Sequence, residues 1–433
     1  MQENDKKYLE PLFSFISEGI SPYHVVRTSQ QLLDQTGFQL LDIHTSWKLD
    51  KPGRYYCKPY DSELFAFTIG ENSNLDDGIR IAGCHTDFPG LKIKPNPEHI
   101  KNGYLQLNVE VYGGPVLNTF LDRPLSIAGK VAIKGKDPFH PDTRFFSSEK
   151  DLLTIPNLAI HMNPKVNDGV PLNPQTHLLP LLGTVDGQLN EDGYFIRLLA
   201  DELDTQPDHI LDFELFIYGT EQPCTIGIQD DFVSSPRLDN LTSVCALVQG
   251  LIHSKRTTGV NLIALFDNEE VGSRGKQGAD SQMLGIITEK IWMGLGAGRE
   301  RYLTEFLKSM ILSADVAHGY HPNYPEASDP VNRTLLNQGF DIKTSANQSY
   351  AWDCEAVACI VDLCHQNGIP FQRFTKNSNQ KGGSTISSMI SSHLPVRTVD
   401  IGIPLLAMHS IRELMGTKDY IAFARLIEAF FRA

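Results

Sequence analysis

The sequence has few of the features that mark membrane, secreted or nucleic-acid-binding proteins. No apolar run approaches the roughly 18 residues of a membrane span, and the charged N-terminus lacks the apolar core of a secretory signal. The 38 Lys and Arg residues are outnumbered by 52 Asp and Glu residues, which gives a net charge of −14. That balance leaves no general basic face for a nucleic acid or an anionic membrane. We therefore expect a cytoplasmic protein that binds neither.

The 433-residue chain also lacks a cysteine framework. Its seven cysteines are scattered, their number is odd, and the spacing C-x-x-C does not occur. Disulfide pairing and a structural zinc site built from cysteines are disfavoured, and a reducing interior fits better. A chain of this length is expected to form roughly two or three domains, and it can bury full-sized cores without disulfides.

Two parts of the chain, residues 1–88 and 228–433, alternate short apolar strands with amphipathic helices. Strands are predicted at 64–69, 79–83, 261–266, 311–314 and 396–401, and a closing helix at 410–431. Buried apolar strands that alternate with helices are typical of a mostly parallel α/β sheet with helices on both faces. We predict one discontinuous α/β domain, the catalytic one, whose strands come from both parts.

Residues 89–227 have a different pattern. Apolar and polar residues alternate along 105–111 and again along 211–217, and Pro and Gly are frequent throughout. Alternation with a period of two indicates half-buried, mostly antiparallel strands. This stretch is predicted to be a β-rich domain inserted into the α/β domain.

Carboxylates and histidines lie just beyond predicted strands at five places. They are His85 with Asp87, Asp239, Glu269 with Glu270, Asp315, and His409. In open α/β sheets, ligands bind beyond the carboxyl ends of the strands, so these side chains can converge. Two histidines with several carboxylates and no thiolate suit Zn, Mn or Co in a hydrolytic site.

The local spacing predicts roles for two of these pairs. In an extended segment, residues i and i+2 lie on one side, so Asp87 can accept a hydrogen bond from the His85 nitrogen that is not on the metal. The adjacent carboxylates Glu269 and Glu270 repel each other when buried, and a dication bound by one of them relieves that repulsion. The other carboxylate can act as general base and afterwards as acid toward the leaving amine.

Each motif also has an ordinary structural interpretation when it is taken alone. His85 and Asp87 can lie in a surface loop, and Glu269 and Glu270 can lie at the solvated start of a helix. Asp239 can be a helix N-cap, and His409 can be a hydrogen-bonded core histidine. Five such placements in one chain favour the joint interpretation, a metal site.

Several longer segments resemble the M18 family of metallo-aminopeptidases, which includes the aspartyl aminopeptidases. They are GCHTDFPGLKIKPN, DDFVSSPRLDNLTS, LFDNEEVGSRGKQGA, SADVAHGYHPNYPE and GIPLLAMHSIREL, in the order and spacing of that family. The resemblance covers most of the chain and includes the segment IPNLAIHMN of the insertion. It implies a di-metal aminopeptidase that removes single residues from the N-termini of peptides.

The resemblance implies a role for each metal ligand. His85 and Asp315 would bind one divalent ion, Glu270 and His409 would bind a second, and Asp239 would bridge both. A cis peptide bond is implied after Asp239. Zn is the expected metal, and Mn or Co would suit the same ligands.

The resemblance also implies the catalytic groups and the assembly. Asp87 would orient His85, and Glu269 would be the general base for a water held by the two metals. The insertion domain would make the contact of a dimer, and dimers would build a tetrahedral dodecamer. In that homo-oligomer, His161 would reach into the neighbouring subunit's active site and donate to the oxyanion.

Substrate selection is the point at which the sequence departs from the family. Relatives often have Gln-Arg-Tyr-Ala where residues 348–351 are Gln-Ser-Tyr-Ala, so a charge is missing and a preference for an acidic N-terminal residue stays open. The turn at 382–385 resembles the family's Gly-rich pocket turn and can equally be a helix N-cap. Lys343 and Lys381 can each be an ordinary surface lysine instead of a substrate contact. The candidate substrate-binding residues are Lys343, Lys381, Tyr350, Gly383 and Ser384.

Two other functions stay open at this point. A related di-metal amidohydrolase, either an N-acyl amino acid deacylase or a dipeptidase, would use the same metal chemistry. A catalytically inactive relative kept as an assembly or cargo particle would need the fold alone. The AMHSIREL and SSPRLDNL stretches and the filled ligand positions favour an active aminopeptidase for peptides with a free N-terminus.

Overall fold

The computed structural model describes residues 3–73, 75–148, 150–169, 171–185, 193–380 and 382–433. The chain divides into two units. The α/β unit comprises Met1–Phe88, Pro223–Met408 and Glu413–Ala433, and the β-rich unit comprises Pro89–Gln222 and His409–Arg412. Within the described ranges, no helix is both long enough and apolar enough to cross a membrane.

The strands and helices are numbered in chain order. The strands are β1 (Gln39–Leu40), β2 (Gly53–Tyr60), β3 (Glu63–Ile69), β4 (Ile79–His85), β5 (Gly90–Lys101), β6 (Tyr104–Tyr112), β7 (Leu125–Asp137), β8 (His140–Ser147), β9 (Leu181–Thr184), β10 (Ile210–Gly219), β11 (Cys224–Ile226), β12 (Phe232–Ser235), β13 (Val260–Phe266), β14 (Met310–His318), β15 (Phe340–Lys343), β16 (Phe371–Phe374), β17 (Arg397–Leu406) and β18 (Glu413–Gly416). The helices are α1 (Glu3–Glu18), α2 (Pro22–Gln35), α3 (Pro174–His177), α4 (Tyr194–Glu202), α5 (Leu238–His253), α6 (Met283–Gly294), α7 (Arg299–Glu305), α8 (Cys354–Asn367), α9 (Ile386–His393) and α10 (Thr417–Arg432).

A mixed sheet in the order β1-β2-β3-β13-β4-β14-β17-β18-β12-β11 forms the centre of the α/β unit, and β15 pairs with β16 and β17. Four neighbouring strands at its centre, β13, β4, β14 and β17, are parallel. Antiparallel strands flank them on both sides. The predicted α/β sheet, built from strands before and after the β-rich block, is confirmed. Its parallel centre brings the carboxyl ends of β4, β13 and β14 to one edge.

Both faces of this sheet are buried, which explains the nearly continuous apolar sequence of β13, all of whose residues are buried. Ile263 and Leu265 belong to a core shared with α1, α2, α5, α8 and α10. Leu262 and Phe266 belong to a second core shared with α6, α7 and α9. Because successive side chains of a strand point to opposite faces, a strand between two helical layers favours apolar residues at nearly every position. The exception, Asn261, donates through Nδ2 to the carbonyl oxygen of Phe431 at 2.8 Å.

The β-rich unit contains an antiparallel sheet in the order β8-β7-β10-β5-β6-β9. The predicted alternation is seen in β6, where Leu107 is buried in the core and Glu110 is exposed. Leu211 is an exception, since it is 57% exposed. The register of β10 against β7 shifts between Ile210 and Asp212. Such an irregularity takes one residue out of the alternation, which explains the exposed leucine.

The β-rich unit begins at Pro89 but ends before residue 227. Cys224–Ile226 forms β11, which pairs with β12 in the sheet of the α/β unit. The later segment His409–Arg412 instead belongs to the β-rich unit. There the N–H of Val116 donates to the carbonyl oxygen of His409 at 2.9 Å, and the N–H of Ile411 donates to the hydroxyl of Thr119 at 3.0 Å.

The helix predicted over residues 410–431 begins too early, and the prediction is wrong at this end. Glu413–Gly416 forms β18, in which Met415 pairs with Leu405 of β17 and Val233 of β12. Helix α10 starts only at Thr417. Pairing with strands that are distant in sequence overrides the local helical pattern here.

Candidate metal and active site

Three central strands bring predicted site residues to one edge of the sheet. β4 ends at His85, which lies in register with the last residue of β13. Ser313 of β14 pairs with Gly83 of β4. Asp315, two residues further along β14, therefore comes level with His85. Asp315 lies inside its strand rather than beyond it, because β14 continues to His318.

A buried imidazole and two carboxylates converge at this edge. Nε2 of His85 lies 3.4 Å from Oδ1 of Asp239 and 3.4 Å from Oδ1 of Asp315. His85 is 1% exposed, Asp239 is 4% exposed and Asp315 is 7% exposed. One possible ligand atom from each of the three lies within 4.8 Å of the others. These residues come from β4, α5 and β14, so the fold rather than local sequence assembles the group.

A hydrogen bond at Nδ1 decides which ring nitrogen of neutral His85 carries the hydrogen. Nδ1 lies 3.0 Å from the carbonyl oxygen of Asp87, which only accepts hydrogen bonds, so Nδ1 carries the hydrogen. Nε2 is then the nitrogen that faces the carboxylates of Asp239 and Asp315, and it can hold either a proton or a metal ion there. Burial alone would lower the pKa of His85, but hydrogen bonding with these carboxylates and with Asp87 raises its pKa well above the ordinary value. The two carboxylates that face Nε2 thus favour a positive charge at this position.

The carboxylate of Asp87 also holds a neighbouring loop. Its Oδ1 and Oδ2 accept the backbone N–H groups of Glu269 and Glu270, each at 3.1 Å. Its Oδ1 lies 3.4 Å from Nδ1 of His85, further than its own carbonyl oxygen. Asp87 therefore contacts the imidazole mainly through its backbone, while its side chain fixes the turn that follows β13.

That turn presents two adjacent carboxylates. Asn268 and Gly272 have positive φ angles of 63° and 98° and bracket a single 3-10 turn. Glu269, Glu270 and His85 each place one possible ligand atom within 4.8 Å of the others. Burial raises the pKa of Glu269 to about 8, with His85 opposing the shift and the nearby aspartates adding to it. The turn thus brings a titratable carboxyl group close to His85.

Asp239 is held by contacts that the sequence did not reveal. The peptide bond between Asp239 and Asn240 is cis, as the resemblance implies. The N–H of Asp239 donates to Oε2 of Glu413 at 3.0 Å, and Nδ2 of Asn240 donates to the carbonyl oxygen of Ala314 at 3.0 Å. Glu413 is 2% exposed. No signal marked it, because the surrounding sequence has the period of an amphipathic helix.

A buried ion pair lies behind Asp315. Nζ of Lys343 is 2.9 Å from Oδ1 of Asp400 and 3.9 Å from Oδ2 of Asp315. Burial alone would lower the pKa of Lys343, but these two carboxylates raise it above the ordinary value. Lys343 is 1% exposed, so it is not a surface lysine. Asp400 was not predicted, although a lone carboxylate within an apolar strand signals a buried partner.

A cavity of about 340 Å³ opens in the α/β unit. Its walls include His318 at the end of β14, Phe374 at the end of β16, and Met408 after β17. Thr334 and Lys376 add polar groups to the lining. The cavity has the mixture of apolar surface and a few polar groups that is typical of a small-molecule site.

Two of the candidate substrate-binding residues, Tyr350 and Gly383, contact Lys376. Tyr350 is 5% exposed, and the ammonium of Lys376 lies 4.5 Å from the centre of its ring. The same ammonium donates to the carbonyl oxygen of Gly383 at 2.6 Å. Gly383 and Ser384 are exposed. Lys381 lies outside the described residues.

Two predicted site residues belong to the β-rich unit. His409 has a positive φ of 66°, and its Nδ1 lies 3.0 Å from the carbonyl oxygen of Gly114. That carbonyl places the hydrogen on Nδ1 and leaves Nε2 as the acceptor nitrogen. His161 lies in an exposed turn between Ile160 and Met162, which are 53% and 69% exposed.

The donors present in the α/β unit fit a divalent metal ion. Imidazole nitrogen and carboxylate oxygen are ligands that zinc takes in proteins. Buried carboxylates around one imidazole repel each other, and a dication removes that repulsion. An ion on Nε2 of His85 would also take the place of the proton that the surrounding carboxylates favour.

Comparison with known proteins identifies the family. The sequence profile described as "Aminopeptidase I zinc metalloprotease (M18)" matches residues 15–431. "Probable M18 family aminopeptidase 2" from Clostridium acetobutylicum is 43% identical over 430 residues, which is 99% of this chain and 99% of the relative.

Two solved structures have the same fold. The "Cryo-EM structure of the Ape4 and Nbr1 complex" has a chain with a TM-score of 0.93 and 32% identity, covering 99% of this chain and 86% of that chain. The "Structure of S. cerevisiae mApe1 dodecamer" has a TM-score of 0.84 and 25% identity, covering 99% of this chain and 97% of that chain. Since the profile and the curated relative both span nearly its whole length, the chain belongs to the M18 family of zinc aminopeptidases.

Proposed function

We propose that this aminopeptidase uses two divalent metal ions to remove single residues from the free N-termini of peptides. The observation that carries the proposal is the convergence of His85, Asp239 and Asp315, with Glu269 beside them. His85 and Asp315 would hold one ion, Asp239 would bridge, and the remaining ligands are proposed from the family resemblance. They are Glu270 and His409.

The metal would be Zn, and Mn or Co would suit the same donors. When bound, such ions polarise the scissile carbonyl and lower the pKa of water. Glu269 would take a proton from the attacking water and pass it to the leaving amine. Asp87 would keep Glu269 in place, because its carboxylate accepts the N–H groups at the start of that turn.

We further propose that the 340 Å³ cavity receives the side chain of the substrate's N-terminal residue. Lys376 lines this cavity, and Tyr350 and Gly383, which contact its ammonium, would hold it in place there. The positive charge of Lys376 supports a preference for an acidic or neutral polar side chain over a basic one. Lys343 also lies against Tyr350, with its ammonium 5.2 Å from the ring centre. Its charge is balanced by Asp400 at 2.9 Å, so Lys376 rather than Lys343 would attract the side chain of the substrate.

The oligomeric state is also a proposal. The S. cerevisiae relative is a dodecamer. We propose a tetrahedral dodecamer built from dimers for this chain, with the β-rich unit at the dimer contact. The exposed apolar residues on either side of His161 support this role, because clusters of exposed apolar side chains mark protein contacts. His161 would donate a hydrogen bond to the oxyanion in the partner's active site.

One activity profile tests the proposal. Metal-free protein is reconstituted with Zn, Mn or Co and assayed with a panel of aminoacyl-p-nitroanilides and with N-acyl amino acids. We expect turnover of the nitroanilides, highest for acidic or neutral polar residues and lowest for Lys and Arg. Faster cleavage of N-acyl amino acids would contradict the aminopeptidase mechanism. Highest turnover for Lys or Arg would contradict only the assignment of the cavity.

A further inference from the structure

A buried series of polar contacts runs from Asp315 through Lys343 and Asp400 to the start of α9, and the proposed function assigns no role to Asp400. The ammonium of Lys343 lies between Asp400 at 2.9 Å and Asp315 at 3.9 Å. The other oxygen of Asp400 accepts hydrogen bonds from the hydroxyl of Thr385 and, at 3.3 Å, from that of Ser313. Every polar group in this series is therefore engaged by a neighbour.

The two oxygens of Asp315 have different surroundings. Oδ1 lies 3.4 Å from Nε2 of His85 and accepts the N–H of Val316 at 2.7 Å. Oδ2 faces the ammonium of Lys343. A cation on one side of a carboxylate fixes the direction in which its other oxygen points. Lys343 thus keeps Oδ1 turned toward the imidazole.

The positive charge of Lys343 so close to Asp315 would weaken metal binding unless another group neutralised it. Its charge competes with a metal ion for the same carboxylate, and in a buried site this competition is only weakly screened. Asp400 is 0% exposed and lies closer to the ammonium than Asp315 does. It neutralises Lys343 and draws the ammonium away from Asp315.

We propose that Asp400 is a positioning residue of the metal site, which acts through Lys343 on Asp315. It lets Lys343 orient Asp315 without displacing the metal. The inference rests on the proposed role of Asp315 as a ligand. Because Thr385 is the residue before α9 and also donates to Asp400, the same carboxylate connects the Gly-rich turn with the metal ligand.

A double-mutant cycle of Asp400→Asn and Lys343→Met tests this role. Zinc affinity is measured on metal-free protein by competition with a chromophoric chelator, and the absorption spectrum of the Co-loaded protein is a second readout. We expect Asp400→Asn to weaken zinc binding roughly 10- to 100-fold, the usual effect of losing a partner of a ligand, and to shift the Co spectrum. In the Lys343→Met background, Asp400→Asn should change the affinity by less than about threefold, because no ammonium remains to be neutralised.

The controls separate this inference from the proposed function. Ser313→Ala removes an uncharged contact of Asp400 and should bind zinc like the wild type, while Asp315→Ala should lose zinc. If Asp400→Asn weakens binding equally in both backgrounds, or not at all, the inference is overturned and the ligand assignment stands. If Asp315→Ala binds zinc like the wild type, the ligand assignment falls and the inference falls with it. Should Asp400→Asn alone not fold, Lys343→Met decides through the Co spectrum: a shifted spectrum is expected because Asp315 loses its orientation, and a wild-type spectrum overturns the inference.

Discussion

The backbone N–H of Asp239 donates a hydrogen bond to the carboxylate of Glu413 at 3.0 Å. Glu413 begins β18, and it pairs in register with Ser235 at the end of β12, a few residues before Asp239. The position of the proposed bridging ligand therefore depends on a strand near the C-terminal end of the sequence. Folding of the last strand and formation of the metal site are coupled through this bond.

Glu413→Ala should weaken the binding of both metal ions, whereas Glu413→Gln should bind them more tightly than the Ala variant. Gln keeps an oxygen that can accept the Asp239 N–H, and Ala leaves that buried donor unsatisfied. We expect a loss of roughly 10- to 100-fold in zinc affinity for the Ala variant. Chelator competition on the metal-free proteins measures it. An Ala variant with wild-type affinity would show that the bond has no role in positioning Asp239.

Asp239→Ala should lose metal from both sites as well as activity, because a bridging carboxylate serves both ions. Elemental analysis after dialysis against dilute zinc gives the metal content per chain. Asp353→Ala is a suitable control, since Asp353 caps α8 through the N–H of Ala356 and is not among the proposed ligands. Two fully occupied sites in Asp239→Ala would refute bridging.

Local patterns predicted the parallel centre of the sheet and the convergence of His85 and Asp315, although Asp315 lies inside its strand and not at its end. The apolar sequence of β13 predicted a buried strand, and its position before Glu269 placed that carboxylate at the edge of the sheet. The pairing of strands that are distant in sequence could not be predicted from local patterns. β18 has a helical apolar period, and only its contacts with β12 and β17 make it a strand.

The same limit explains the supporting residues that the sequence did not reveal. Glu413 and Asp400 are single carboxylates within otherwise apolar strands, and their partners lie far away in sequence. Nothing in the local spacing tells which buried donor each one will meet. Lys343 shows the converse, because its burial comes from tertiary packing and not from its neighbours in the chain.

His161→Ala should keep folding and metal content while kcat falls roughly 10²- to 10³-fold, the usual loss for one oxyanion donor. His140→Ala, which alters another exposed histidine of the β-rich unit, serves as the control and should keep wild-type kcat. Because the donor is proposed to act on the partner, mixed oligomers are informative. Mixing inactive His161→Ala with inactive Glu269→Gln should restore part of the activity. Verified mixed dimers without any recovery would exclude action across the dimer.

His24 should make the α/β unit sensitive to acid. It is fully buried, with Nδ1 2.7 Å from the hydroxyl of Ser21, and burial with the nearby Arg27 charge lowers its pKa to about 3. Below its ordinary pKa of about 6.5, the unfolded chain takes up a proton that the folded chain refuses, so stability is lost as the pH falls toward 3.

The variant His24→Gln removes this titration and keeps a neutral polar side chain. Between pH 6.5 and 4, the wild type should lose stability relative to the variant by about 1.4 kcal/mol per pH unit. Urea unfolding of both proteins at matched concentration and metal content measures the difference. A difference that stays constant over this pH range would mean that His24 is protonated in the folded protein.

The most direct test of the proposed mechanism is the simultaneous measurement of metal content and kcat for Glu269→Gln. This change removes only a proton acceptor, so the variant should hold two zinc ions per chain, like the wild type. Its kcat on a good aminoacyl-p-nitroanilide should fall by roughly 10²- to 10⁴-fold, the range that general acid–base catalysis contributes. Glu300→Gln, an exposed glutamate on α7, should leave both quantities unchanged. Near-wild-type kcat with both metals bound in Glu269→Gln would contradict the account.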